Sequence, residues 1–136
     1  MHTDAQQTAE LHAIPAFAAW ARARGFRVGD WVLAKDGREL LVHTLDSLGA
    51  EGTRPSYNRA DCRLMASEAD LTAFLQTQCH RLIVESYTDE VYVRLENPGG
   101  RLAGGLAIWY HTVTQGHADT RIGALVATCK AVEGGE

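Results

Sequence analysis

The sequence predicts an α+β domain: an antiparallel sheet of about five strands with two to three packed helices. Three observations carry this. Apolar residues recur at helical spacing in three separate stretches, at 15–24, 67–79 and 120–132. Short β-type runs lie between them and meet through tight turns, which makes neighbours antiparallel. The strands and helices do not alternate as a doubly wound fold would require.

Along the chain, residues 1–10 are polar and read as a weak tail or a single first turn. A helix is expected from Pro15, because proline's missing N–H has no partner at the first helical position. Phe17, Trp20, Ala21 and Arg24 follow at helical steps, and Gly25 can close the end in the left-handed region. Leu11 and Ile14 extend the apolar stripe backwards. Val28–Ala34 and Glu39–Leu45 are β-type runs joined by Lys35-Asp36-Gly37-Arg38. Asp-Gly between apolar runs predicts a hairpin, since both residues tolerate positive φ. No element is evident from Asp46 to Cys62, where Gly49, Gly52, Pro55, Ser56 and Asn58 punctuate the chain.

Ser67 with Asp70 three residues on resembles a capping box. Leu71, Phe74, Leu75 and Cys79 form one stripe behind it. Leu82–Val84 reads as a strand, and Thr88-Asp89-Glu90 as a solvated turn. Val91, Val93 and Leu95 alternate with Tyr92 and Arg94, so this strand has one buried and one wet face. Asn97-Pro98-Gly99-Gly100 has turn chemistry, and Leu106–Val113 is the next strand. Asp119 or Thr120 can cap a last helix whose Ile122, Leu125, Val126, Cys129 and Val132 share a face. Residues 133–136 read as a frayed end.

The length of 136 residues suits one domain spanning 1–136. The formal net charge of −4 gives no general basic footprint, so nucleic acid is not indicated as a partner. Residues 1–10 lack a basic start and an apolar core, and no apolar stretch nears the ~18 residues of a membrane span. A cytoplasmic protein without a membrane role is the expectation. Cys62, Cys79 and Cys129 are odd in number and irregular in spacing, which fits reduced thiols.

No catalytic signature stands out. There is no C-x-x-C, nucleophile elbow, phosphate loop or dinucleotide fingerprint, and the histidines lack metal-ligand spacing, so no metal and no cofactor is expected. Cys62 lies off the helical stripes and is the one thiol with a prospect of access. Glu51–Arg63 gathers Arg54, Arg59 and Arg63 around Tyr57 and Asn58. Arg and Tyr are enriched at binding hot spots, and Arg pairs bidentately with anions. These five residues are candidate partner contacts. Trp109 is a sixth, because Trp109 and Tyr110 point to opposite sides of a strand and one of them is expected in the core. Trp20 and Trp31 are expected in the core.

From about 82 to 132 the order of elements resembles the phage ABA-sandwich family of small phage proteins. The shared features are a strand at Val91–Leu95, a glycine-rich turn, a strand at Leu106–Val113, and a closing helix, Thr120-Arg-Ile-Gly-Ala-Leu-Val-Ala-Thr-Cys. The front half departs from that pattern. The resemblance implies a phage or prophage origin and no particular chemistry. With the small size and the Arg/Tyr loop, it leads to a non-enzymatic protein-binding inhibitor or accessory protein. An inhibitor of a bacterial defence system, in the manner of an anti-CRISPR, is its most specific form. The alternatives are a toxin-neutralising immunity protein, a homodimeric accessory protein, and a small anion- or nucleotide-binding enzyme.

Overall fold

The computed structural model describes residues 2–42, 61–101 and 108–134. The chain divides into two compact units, Met1–Ser67 and Glu68–Glu136. The fold is α+β as expected. Among the described residues it has four helices and two three-stranded antiparallel sheets, in place of one sheet of about five strands.

In the first unit, α1 (Ala5–His12) occupies most of the stretch read as a tail. Its cause is local. The Asp4 carboxylate accepts from the Gln7 N–H at 2.7 Å, and the Gln7 side chain accepts from the Asp4 N–H at 3.0 Å. Two otherwise orphaned N–H groups are thereby satisfied. Thr3 and Thr8 are fully buried and share a hydroxyl hydrogen bond. The next helix, α2 (Pro15–Arg24), starts on its proline and ends where Gly25, at φ 73°, donates its N–H to the Ala21 carbonyl. Leu11, Ile14, Phe17 and Ala21 are buried along the shared stripe.

The Asp-Gly hairpin forms as predicted. Strand β1 (Trp31–Leu33) pairs with β2 (Glu39–Leu41), and Gly37 takes φ 92° in the turn. The short β3 (Arg63–Leu64) pairs with the other edge of β1, giving the order β2-β1-β3. Val32, Ala34, Val42 and Cys62 bury together against Phe26 and Leu40. Trp31 is not in this core. It remains exposed, with its ring stacked on His2 at 5.1 Å.

Helix α3 (Glu68–Gln76) opens the second unit and buries Leu71, Phe74 and Leu75. It stops before Cys79, which lies in the connection that follows, half-buried, with its thiol donating to the Leu75 carbonyl. Strands β4 (Arg81–Ser86), β5 (Val91–Arg101) and β6 (Ile108–Ala118) follow in sheet order. Helix α4 (Arg121–Gly134) closes the unit, with the Thr120 hydroxyl accepting from the Gly123 N–H at 3.0 Å. Val91, Val93 and Leu95 are buried on one face of β5, and Ile122, Ala124, Leu125, Val126 and Cys129 are buried along α4.

Two sequence expectations are overturned in this sheet. Asn97–Gly100 is strand, not turn: Asn97 pairs with His111, Pro98 with Tyr110 and Gly100 with Trp109. Gly99 is the unpaired extra residue of a bulge, a place that suits glycine. Pro98 is tolerated because β4 pairing ends at Glu96, so that among the described residues β5 is an open edge beyond that point. In turn, β6 runs on to Ala118, past the Val113 end expected from sequence, so His117 sits within the strand.

Candidate functional site

Among the described residues of the second unit, the β5–β6 ribbon extends beyond β4 and α4. β4 covers β5 only as far as the Arg81–Glu96 pair. Helix α4 runs back along β6, bringing Thr128 beside Gly116. At 1.5 Å per residue its 14 residues reach about 21 Å, whereas the 11 residues of β6 span about 36 Å. The pairs from Asn97–His111 to Arg101–Ile108 therefore form a two-stranded arm.

Such a ribbon is marginal unless it is braced, and three contacts brace this one. The His80 N–H donates to the Asn97 side-chain carbonyl at 2.9 Å and to the Glu96 carbonyl at 3.2 Å. The Arg81 guanidinium lies 3.9 Å from the centroid of the Tyr110 ring. The Trp109 ring lies over Gly99, where a Cβ would fall 2.0 Å from Trp109 Cζ3. Trp109 is nonetheless 46% exposed and Ile108 41%. Of the two adjacent aromatics, neither is core: Trp109 is exposed and Tyr110 is half-buried under Arg81.

The opposite end of the sheet is polar. Cross-strand register sets Glu85, Tyr92 and His117 in one row, and Ile83, Arg94 and Gln115 in the next. Arg81 donates to Glu96 at 2.6 Å, Arg94 reaches the other Glu96 oxygen at 3.4 Å, and Arg94 also donates to Glu85 at 2.6 Å. This is an alternating chain of two cations and two anions. The Arg81 guanidinium, helped by Arg94, holds the Glu96 carboxyl below its ordinary range. Beside the chain, the Tyr92 hydroxyl donates to Glu90 at 2.7 Å, and that bond raises the Tyr92 pKa.

Of the six predicted contact residues, Arg54, Tyr57, Asn58 and Arg59 lie outside the described residues. Arg63 is exposed on β3, in the first unit. Trp109 is exposed on the arm, in the second. Tyr87, Glu90 and His117 were not singled out as contacts from sequence. The alternation of Val91–Leu95 exposes Tyr92 and Arg94, but their cross-strand neighbours require the register.

Cys62 does not provide an accessible thiol. It is 7% exposed within the first unit's core. Burial, together with Asp61 and Asp36, pushes its pKa up. A nucleophilic thiolate needs the opposite environment. Among the described residues no group of three His, Cys, Asp or Glu side chains is placed to hold a metal ion, and no helix is long and apolar enough to cross a membrane. No protein-family model matches the chain, and no curated protein or solved structure matches it.

Proposed function

We propose that this chain is a non-enzymatic binding protein that works by occupying a surface of another protein, and that the β5–β6 arm is its docking element. The observation that carries the reading is the braced arm, with Trp109 and Ile108 exposed. A tryptophan already fixed by its own backbone loses little freedom on docking, and Trp is among the commonest hot-spot residues. The burial of Cys62 and the absence of a catalytic signature favour binding over the small-enzyme alternative.

The narrower reading, a phage-borne inhibitor of a bacterial defence system, draws on the resemblance of residues 82–132 and not on any single side chain. The Arg54–Arg63 stretch is a second proposed docking element.

The test is site-specific photo-crosslinking in bacterial cells, with a benzophenone amino acid in place of Ile108 and, as a control, in place of exposed Arg22 on α2. The expected result is a discrete adduct from position 108 that is lost when Trp109→Ala is added. An Arg54→Glu/Tyr57→Ala/Arg59→Glu variant reads the loop's share in the same adduct. Equal, diffuse labelling from both positions would remove the arm from consideration. Raised phage plating on a host that expresses the chain would support the narrower reading, and unchanged plating on defence-bearing hosts would count against it.

A second reading rests on β6 itself. Among the described residues it is a sheet edge, and Ile-Trp-Tyr-His-Thr-Val-Thr-Gln-Gly-His-Ala contains no Lys, Arg, Asp, Glu or Pro. Edges lacking those residues pair readily with another strand. A homodimer would appear as a concentration-dependent species in sedimentation.

A further inference from the structure

A different surface of the second unit gathers acidic and aromatic side chains. At the turn between β4 and β5 lies an open concavity of about 680 Å³, lined in part by Tyr87, Tyr92, Asp89, Glu90, Glu85 and Arg94. Its volume falls within the ~300–1,000 Å³ of small-ligand sites, but it is open where those are enclosed.

Two rings, Tyr87 and Tyr92, form its aromatic wall, and His117 backs Tyr92 from outside the lining. Tyr87 meets Tyr92 edge-on at 5.7 Å, and Tyr92 lies against His117 at 5.3 Å. Tyr87 is 60% exposed. The Tyr87 N–H donates to the Glu90 carbonyl at 2.7 Å, which ties the turn together and sets the two tyrosines side by side.

Arg81, Glu96, Arg94 and Glu85 pair among themselves and sum to zero. Asp89 and Glu90 are left over. Glu90 is held by the Tyr92 hydroxyl and lies 3.5 Å from the His117 ring, and among the described residues neither carboxylate has a Lys or Arg partner. Two carboxylates without a Lys or Arg partner thus stand beside ring faces that are themselves electronegative. Anions are repelled here, and a neutral apolar ligand would leave the carboxylates without a counter-charge.

We infer that this concavity takes a basic side chain, an arginine or lysine, presented by a partner protein. The cation lies against Tyr87 and Tyr92 and pairs with Asp89 and Glu90. The claim goes beyond the arm-docking reading and uses none of its residues.

The probe is an acetylated, amidated Gly-Arg-Gly peptide, titrated into the full chain and followed by amide chemical shifts. The comparison peptide carries citrulline in place of arginine, which keeps the shape and removes the charge. The expected result is weak, saturable binding with shifts at Thr88–Tyr92 and His117, several-fold stronger for arginine than for citrulline. Asp89→Asn/Glu90→Gln should weaken it several-fold, and so should Tyr87→Ala alone. Trp109→Ala should leave it unchanged, which separates failure here from failure of the arm. Since Asp89 and Tyr87 are exposed, these variants should keep the native amide spectrum elsewhere. No shift at those amides, equal response to citrulline, or full binding by the Asp89→Asn/Glu90→Gln variant would overturn the inference.

Discussion

Trp109 packs its ring onto the backbone of Gly99, so closely that no side chain fits between them. A Cβ on Gly99 would lie 2.0 to 2.5 Å from three carbons of the indole. Gly99 is also the bulge residue that advances β5 by one position against β6. The bulge and the missing side chain together let an exposed tryptophan have a defined orientation on a two-stranded arm. Gly99→Ala should therefore swing the indole away while sparing the rest of the unit. The chain has three tryptophans, so three indole N–H resonances are expected, and only that of Trp109 should move and sharpen. The cost in stability should be small, about 1 kcal/mol. A variant in which all three resonances keep their positions would show that the ring does not depend on Gly99.

Gly116 has the same role at the helix interface, with a harder neighbour. A Cβ there would meet Thr128 at 2.6 Å from the hydroxyl and 2.8 Å from the backbone N. A backbone cannot rotate away as an indole can, so α4 itself must shift. Thr128 is fully buried and its hydroxyl donates to the Ala124 carbonyl at 2.7 Å. Gly116→Ala should destabilise the second unit by about 1–3 kcal/mol, and Gly116→Val by more, as read by urea unfolding. Adding Thr128→Ala or Thr128→Ser should not rescue the variant, since the backbone contact remains. Wild-type stability in Gly116→Val would mean that α4 is not seated on β6 at this point.

Much of this fold is legible wherever the chemistry is local. Asp36-Gly37 makes its hairpin, Pro15 starts α2, Thr120 caps α4, and the Val91–Leu95 alternation gives one buried face. The capping pair Asp4 and Gln7 was present in the sequence too, and α1 could have been read from it. What could not be read depends on register. Asn97–Gly100 has the composition of a turn, yet its partner across the ribbon is a tryptophan that fills the space above glycine, and pairing overrides local preference. The chain of ion pairs across the sheet joins residues up to 15 positions apart. The extra residue at Val113, where Leu95 pairs with Thr114 but Glu96 with Thr112, resets which side chains share a face. No periodicity within a single strand reveals that shift. Trp31 was expected in the core because of its apolar neighbours, but a three-stranded sheet this short leaves it at the rim beside His2.

In the first unit, Arg24 and Asp30 clasp the connection between α2 and β1. The guanidinium donates twice, at 2.8 and 2.9 Å, and the Arg27 N–H adds a third bond at 2.7 Å. Burial opposes ionisation of Asp30, but the Arg24 and Arg27 donors outweigh it, so its carboxyl lies below the ordinary range. A depressed carboxyl pKa stabilises the fold at pH values above the unfolded pKa of about 3.9. That contribution is lost as pH falls through the lower folded pKa. Asp30→Asn should cost roughly 2–4 kcal/mol at pH 7, because it takes the paired carboxylate away from a largely buried guanidinium. The gap between variant and wild type should close towards pH 2–3. A gap that stays constant with pH would show that the loss is one of packing and not of the charge.

The cysteines allow each unit's opening to be read separately. Cys62 sits in the core of the first unit and Cys129 in that of the second, while Cys79 is half-buried after α3. Burial pushes the Cys129 thiol up to about 12, and it raises Cys62 and Cys79 as well. Thiol reagents attack the thiolate, so both access and ionisation oppose labelling in the core. In the native protein one equivalent should react first, and Cys79→Ser should remove that phase. The other two should react only as their own units open. In a urea series with brief labelling and peptide mapping, Asp30→Asn should bring forward the labelling of Cys62, and Gly116→Ala that of Cys129. Prompt native labelling of Cys62 would place its thiol at the surface and restore it as a candidate nucleophile. Labelling of Cys129 at the native rate in Gly116→Ala would remove that glycine from the account of how α4 is held.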